Sequence, residues 1–371
     1  MALTVAVAPQ VGVTVGTEAE GHLASAATRQ LPRLFRRYRR IHLVGAGGAG
    51  MEGLARILVQ LGCRVSGTDR SDSRALELLA REGVEVRTGH DAGAVTGVDL
   101  VVYSAAIPAD NPERRRAAEL GIPAVSRAEM LGELLAPYYT VAVAGTHGKT
   151  TTSSLIAAIL GAAGLSPSTL IGGWRAGRPQ AGLGEGDLFV VEADEYARSF
   201  LRLRPQLAVV TNVDDDHLDC YGSAEAVGAA FAAFVERLPF YGWAILNADD
   251  PGAQSLQGRS PAPVLLFGCG DGAEVRGSEV ELDGQGSTFA VGVGGRPLGR
   301  VRLALPGRHN VSNALAAIAA CHCLEVDFAA AAAALAAFEG VERRFQVRGT
   351  LAGDILVVED YAHHPTEVAA A

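Results

Sequence analysis

The chain has 371 residues, 49% of them hydrophobic and 20% charged, with a formal net charge of −9. That length exceeds one ordinary domain, and the acidic balance excludes a protein built to coat nucleic acid. No apolar run reaches the roughly 18 residues of a membrane-spanning helix, and five cysteines without paired spacing read as the free thiols of a cytoplasmic protein with no membrane partner.

Residues 1–40 form an N-terminal extension broken by Pro9, Gly12, Gly16 and Gly21. It closes on Arg33, Arg36, Arg37, Arg39 and Arg40, either a solvated lead-in helix or a patch for an anionic partner. A strand follows at 41–45 (IHLVG), then a glycine turn, a helix from Met51, and the strand RVSGTD ending at Asp69. Gly45, Gly47 and Gly50, with Gly48 between them, stand in G-x-G-x-x-G register. Such a turn brings a helix N-terminus up to a pyrophosphate, with the acidic residue about where a ribose diol is held. The geometry fits NAD and a UDP group alike. A helix at 73–82, a short strand near Val84, a strand at 99–105 and a helix at 112–120 complete a Rossmann-like α/β domain over 41–136.

A second α/β run occupies 137–340. Its first strand leads into GTHGKTTT, where the backbone of Gly145, Thr146, His147, Gly148, Lys149, Thr150 and Thr151 can cradle phosphate oxygens. Lys149 would reach the β- and γ-phosphates and the Thr150 hydroxyl a Mg²⁺ position. The match departs from G-x-x-x-x-G-K-[ST] at Val143. Further strands are expected at 187–194, 207–213, 243–249 and 264–268, and helices at 151–163, 223–238, 310–324 and 328–338. Between Gly268 and Pro306 short alternating runs with glycine turns predict antiparallel strands added to the sheet's edge. A strand at 354–360 and a helix with Pro365 near its first position then open a third domain, 341–371, in which the chain is expected to stop one βα unit in.

Several constellations carry chemistry. Glu192 ends a strand whose carboxyl end faces the ligand crevice, as a Mg²⁺ ligand or as a carboxylate on the sheet rim. Asp214, Asp215, Asp216, His217 and Asp219 crowd the end of the next strand, with His217 either a ligand or a structural loop histidine. Asn310 and Asn313 open a helix, where they cap it or read an adenine edge. Arg344 offers a fork for a phosphoryl group, or makes with Arg343 a solvated pair. Asp360, His363 and His364 sit at a strand end, either a metal pair or two adjacent histidines on a turn that point in different directions.

Taken in order, GTHGKTTT, EADE, DDDHLDCYG, GRHNVSNALAA, ERRF and YAHHPTEV resemble the Mur ligase family over about residues 40–371. The ordered set is specific; no single motif is. GAGGAGM, SAAI at 104–107 and YAHHPTE are most similar to the members that join L-alanine to UDP-N-acetylmuramate in peptidoglycan precursor synthesis. Members that recycle a muropeptide onto the same UDP-sugar acid are similar in several motifs. The resemblance implies an N-terminal UDP-binding domain, a central P-loop ATPase and a C-terminal Rossmann-like domain for the amino acid. ATP and Mg²⁺ are the implied cofactors, and an acyl phosphate the intermediate.

The resemblance implies roles by residue. Lys149 and Arg344 neutralise phosphoryl charge. Thr150 and Glu192 hold one Mg²⁺ and His217 a second. His309, Asn310 and Asn313 match the adenine motif, and Asp360 a nucleotide-facing strand end. Gly45, Gly47, Gly48, Gly50, Asp69 and Ser104 receive the UDP part, while Tyr361 and His363 lie near the amino-acid site. The lysine that several relatives carbamylate has no counterpart, since Lys149 is the only lysine in the sequence. Two alternatives remain open: an NAD-dependent oxidoreductase built on Gly45–Gly50, and a nucleotide-binding chain that ligates only when the rest of the third domain is supplied.

Overall fold

A computed structural model describes residues 36–351 and 355–370. Most of the extension expected over 1–40 lies outside the described residues. Of its arginines, Arg40 opens the first strand and pairs with Asp99 at 2.7 Å, so this part of the basic cluster has an internal partner.

The first unit runs β1 (Arg40–Val44), α1 (Ala49–Gln60), β2 (Arg64–Asp69), α2 (Arg74–Arg81), β3 (Glu85–Thr88), β4 (Leu100–Tyr103), α3 (Pro112–Glu119), β5 (Ala124–Ser126) and α4 (Arg127–Leu135). Its strands form a parallel sheet in the order β3-β2-β1-β4-β5. β1 is central, so Ile41, Leu43 and Val44 are wholly buried and Leu54, Ile57 and Leu58 of α1 pack over it. The helices start where side chains take up free N–H groups. Ser73 caps α2, Asn111 caps α3 with Pro112 at its first position, and Ser126 with Glu129 makes a capping box on α4.

The second unit runs β6 (Tyr139–Ala144), α5 (Lys149–Ala162), β7 (Ser168–Arg175), β8 (Arg178–Gly182), β9 (Leu188–Glu192), β10 (Leu207–Val210), α6 (Leu218–Tyr221), α7 (Ala224–Val235), β11 (Trp243–Asn247), α8 (Pro251–Gln254), β12 (Val264–Gly268), β13 (Val275–Leu282), β14 (Ser287–Val293), β15 (Arg296–Leu303), α9 (Arg308–Cys323) and α10 (Phe328–Ala336). The sheet order is β15-β14-β13-β12-β11-β10-β6-β9-β7-β8. β6 therefore lies between β9 and β10, parallel to both, and the carboxyl ends of these three strands open on one crevice. The antiparallel strands expected before Pro306 are β13 to β15. They extend one edge, with β13 joining β12 in parallel at Phe267–Val275.

Several features differ from the sequence expectation. β5 and α4 occupy 124–135, where no element was expected. β7 and β8 form a hairpin at the other sheet edge, whose glycines and Pro179 break the alternation that marks a strand. After α10, β16 (Gln346–Leu351) pairs antiparallel with β17 (Ile355–Glu359) ahead of α11 (Pro365–Ala370), so the segment opens with a hairpin rather than a lone strand. β16 is polar and exposed, which hid it.

Between β9 and β10 the chain makes a kinked run of tight turns, Tyr196–Arg202, left-handed at Ala197 and Arg198, that buries Phe200 against α7. Phe200 stacks on Phe234 at 4.9 Å and meets Phe231 edge-on at 5.3 Å. Phe200→Ala should cost about 3–5 kcal/mol, read as a lower denaturation midpoint in urea. A loss well under 1 kcal/mol would show that the site collapses onto the smaller side chain.

Candidate active site

The phosphate loop takes its shape from two close approaches. A side chain at Gly145 would run into the Thr211 hydroxyl, and at Gly148 (φ 81°) would meet Asn313 Oδ1 at 2.5 Å. Thr211 Oγ1 donates to the His147 carbonyl at 2.6 Å. Asn212 brackets the same peptide, accepting from His147 N at 2.8 Å and donating to its carbonyl at 3.1 Å. The loop after β10 thus holds the loop after β6. Lys149 Nζ lies inside it, donating to the carbonyls of Gly145 (2.6 Å) and Thr146 (3.1 Å) and to Glu195 Oε1 (2.8 Å).

Two buried carboxylates face this ammonium. Glu192 ends β9 close to Thr150 and Gly172, and its Oε1 is buried with no partner. Burial raises the Glu192 pKa, against the pull of Thr150 and Lys149. Glu195 takes the Lys149 ion pair and lies 3.7 Å from His217 Nε2, and its Oε2 is also buried without a partner. Burial raises its pKa too, against the charge of Lys149. Buried carboxylate oxygens without donors are costly, and two acids against one lysine leave negative charge that a cation would balance. These donors fit Mg²⁺, which prefers oxygen ligands. His217 adopts a left-handed backbone (φ 56°) at the start of α6, its ring edge-on to Tyr196.

Beside the loop lies a cavity of about 460 Å³ bounded by Gly148, Thr151, His309, Asn310, Asn313, Arg344 and Asp360. Asn310 and Asn313 do not cap α9, whose N-cap is Gly307. Asn310 donates to the Pro306 carbonyl at 2.7 Å, and Asn313 accepts from Thr152 Oγ1 at 3.2 Å. His309 opens onto the cavity, and crowding by protein lowers its pKa. Asp360 accepts from Phe345 N at 2.6 Å. The adjacent arginines part company: Arg343 pairs outward with Glu359 at 3.2 Å, while Arg344 lines the cavity 3.9 Å from Glu367. Lys149 and His217 lie outside the lining of this cavity, and so does His363. Its ring is mostly exposed against Tyr361 at 5.1 Å, outside the cavity lining, whereas His364 turns inward onto His147 at 4.8 Å.

In the first unit the glycine turn, Asp69 and Ser104 lie together. The Asp69 carboxylate is engaged by the turn itself, accepting from Gly47 N at 2.8 Å. Ser104 lies against Gly45, and Gly48 is the N-cap of α1. A side chain at Gly50 would strike the Arg127 guanidinium, which reaches on to Asp194 at 3.4 Å. Sequence reasoning missed Arg127 and Glu195. The last acid of EADE was the available signal for Glu195; Arg127 is marked only by following the capping serine of α4.

Residues 143–321 match the Mur ligase middle domain, and residues 40–139 match the Mur ligase family, catalytic domain. The UDP-N-acetylmuramate--L-alanine ligase of Sorangium cellulosum is 47% identical over 339 residues, covering 91% of this chain and 72% of that relative. The enzyme of the same name from Halorhodospira halophila is 48% identical, with coverages of 91% and 70%. The chain belongs to the Mur ligase family. Among solved structures, UDP-N-acetylmuramate-alanine ligase MurC from Thermotoga maritima superposes with a TM-score of 0.80 at 30% identity, covering 89% of this chain and 76% of that one. The UDP-N-acetylmuramate:L-alanyl-gamma-D-glutamyl-meso-diaminopimelate ligase from Neisseria meningitides gives 0.76 at 33%, covering 82% of this chain and all of that one. Membership places the chain among ATP-dependent amide-forming ligases of peptidoglycan biosynthesis, and the oxidoreductase reading falls away.

Glu192 yields a test with a sign. Its pKa is raised in the folded state, so the ionised carboxylate costs stability at neutral pH, and that cost vanishes below the unfolded value near ~4.3. Glu192→Gln should therefore stabilise the metal-free protein by about 1–3 kcal/mol at pH 7, with the gain shrinking as pH falls toward ~4. Urea denaturation in EDTA at both pH values reads it. A destabilised variant at pH 7 would show the carboxylate already neutralised in the fold.

Proposed function

We propose that this protein joins L-alanine to the carboxylate of UDP-N-acetylmuramate at the expense of ATP, in the cytoplasm. The observation that carries the reading is the unpartnered buried oxygen of Glu192 beside Thr150, at the foot of a phosphate loop, in a chain whose curated relatives are ligases of that name. The structure of the muropeptide ligase is also similar, but the alanine ligases match at 44–48% over about 90% of the chain.

A carboxylate is a poor acyl donor, so its oxygen first attacks the γ-phosphorus, and the bond from phosphorus to the ADP oxygen breaks. The alanine amine then attacks the acyl carbon of the acyl phosphate, phosphate leaves, and the amine gives up a proton. The first step brings two anions together, so the chain must supply positive charge. Lys149 is the fixed cation of the loop. Phosphate oxygens at Gly145–Thr150 would take over the Lys149 contacts now made to the Gly145 and Thr146 carbonyls. Thr150 and Glu192 would hold one Mg²⁺, with His217 beside Glu195 at a second, and the metal would neutralise phosphate charge. Arg344 reaches the cavity from the far wall. His309, Asn310, Asn313 and Asp360 bound the volume for the nucleoside. The turn Gly45, Gly47, Gly48, Gly50, with Asp69 and Ser104, would seat the UDP group, and Arg127 spans from that turn to Asp194 beside Glu195. His363, with its ring outside the cavity, is given no step.

Phosphate release from Mg²⁺-ATP, with and without UDP-N-acetylmuramate and L-alanine, tests the proposal. It is run on this chain and on one extended by the remaining length of the Sorangium relative. Release by the extended protein should require both substrates, and Lys149→Met should lower it about 10²–10³-fold. Release that ignores L-alanine but responds to a muropeptide would replace the substrate. Release needing neither would overturn the ligase reading.

A further inference from the structure

We propose that His147, Asp214 and His364 form a transition-metal site that ties the phosphate loop to the segment carrying α11. It is distinct from the Thr150–Glu192 position and independent of the ligase reading. The three side chains come from three distant stretches: the loop after β6, the loop after β10 and the turn before α11. His147 Nε2 lies 3.2 Å from Asp214 Oδ2, and His364 Nδ1 lies 4.0 Å from the same oxygen. One ligand atom from each falls within 4.8 Å of the others. A tetrahedral ion with bonds of about 2.1 Å holds its ligand atoms about 3.4 Å apart, so closing on an ion asks His364 to shift by about 1 Å.

The surroundings support ligation. His147 Nδ1 faces Glu367 Oε1 at 3.3 Å. A carboxylate on the far nitrogen fixes the tautomer and leaves the lone pair of Nε2 toward the ion. The Thr366 hydroxyl donates to Asp214 Oδ2 at 2.9 Å and orients that carboxylate. All three ligands are only partly buried, so a fourth position opens on the cavity side, where Gly148 and Asn212 lie. Two imidazoles and one carboxylate select Zn²⁺, Co²⁺ or Ni²⁺ over Mg²⁺, which takes oxygen donors and dehydrates reluctantly. Glu192 and Thr150 offer oxygen alone. The two positions differ in chemistry and can be filled separately.

Titration of the protein with Co²⁺ under saturating Mg²⁺, followed by visible d–d absorption, tests the site. One equivalent of Co²⁺ should bind and be displaced by Zn²⁺. His364→Ala should weaken binding at least 100-fold, and Glu367→Gln about 10–100-fold. Glu192→Gln should leave the spectrum unchanged. Zn²⁺ should also slow hydrogen exchange across 355–370, with circular dichroism confirming that each variant is folded. No cobalt band, a band that survives in folded His364→Ala, or a band lost in Glu192→Gln would overturn the assignment.

Discussion

The ammonium of Lys149 is the fixed point of this molecule. It is the chain's only lysine, and it is held by two carbonyls of its own loop and by Glu195. Around it the fold concentrates an excess of buried acid. Glu192 and Glu195 each carry an oxygen with no partner, an arrangement that a sequence selected for stability alone would replace. Buried carboxylates are tolerated where a ligand supplies the missing charge. Sheet topology makes this possible. Because β6 lies between β9 and β10, the loop, the EADE acids and the Thr211–His217 run emerge side by side, though 70 residues of chain separate the first from the last.

The second constraint is the join between the two sheets. Helix α1 packs on the β7–β8 hairpin, where Gly53 lets Leu170 and Ala181 close on the helix and Gln60 Oε1 accepts from Leu183 N at 2.7 Å. On the ligand side Arg127 touches the turn at Gly50 and pairs with Asp194. One residue beyond Asp194 is Glu195, the partner of Lys149. The glycine turn of the first sheet and the phosphate loop of the second are thereby linked through a few side chains, which suits a reaction whose two anionic substrates must meet end to end.

What could be read from the sequence follows the strength of the apolar signal. β1, β6, β9, β10, β11 and β12 are near-continuous hydrophobic runs buried on both faces, and each stands where expected. β8 and β16 are polar, so they left no mark. The site was legible where local pattern sets geometry, as in GTHGKTTT. It was not where the chain doubles back. Glu195 reaches Lys149 from a segment that then turns through left-handed backbone at Ala197 and Arg198, which no spacing rule announces. A helix start near 310 leaves Asn310 and Asn313 open between capping the helix and reading an adenine edge. With α9 starting at Arg308, both fall inside its first turns, and Asn313 faces α5 through Thr152.

Arg343 and Arg344, indistinguishable by composition, find different partners. Arg343 and Phe345 have φ of 61° and 47°, a left-handed conformation that costs free energy in residues with side chains. The strain persists because the flanks are pinned. Val341 is buried in the core of the second unit, Glu342 N donates to the Trp174 carbonyl at 2.8 Å, and Asp360 accepts from Phe345 N. Both guanidiniums lie against the Tyr361 ring, at 4.8 and 5.5 Å, and from there Arg343 goes on to Glu359 while Arg344 lines the cavity. The connection between α10 and β16 is therefore part of the site's construction.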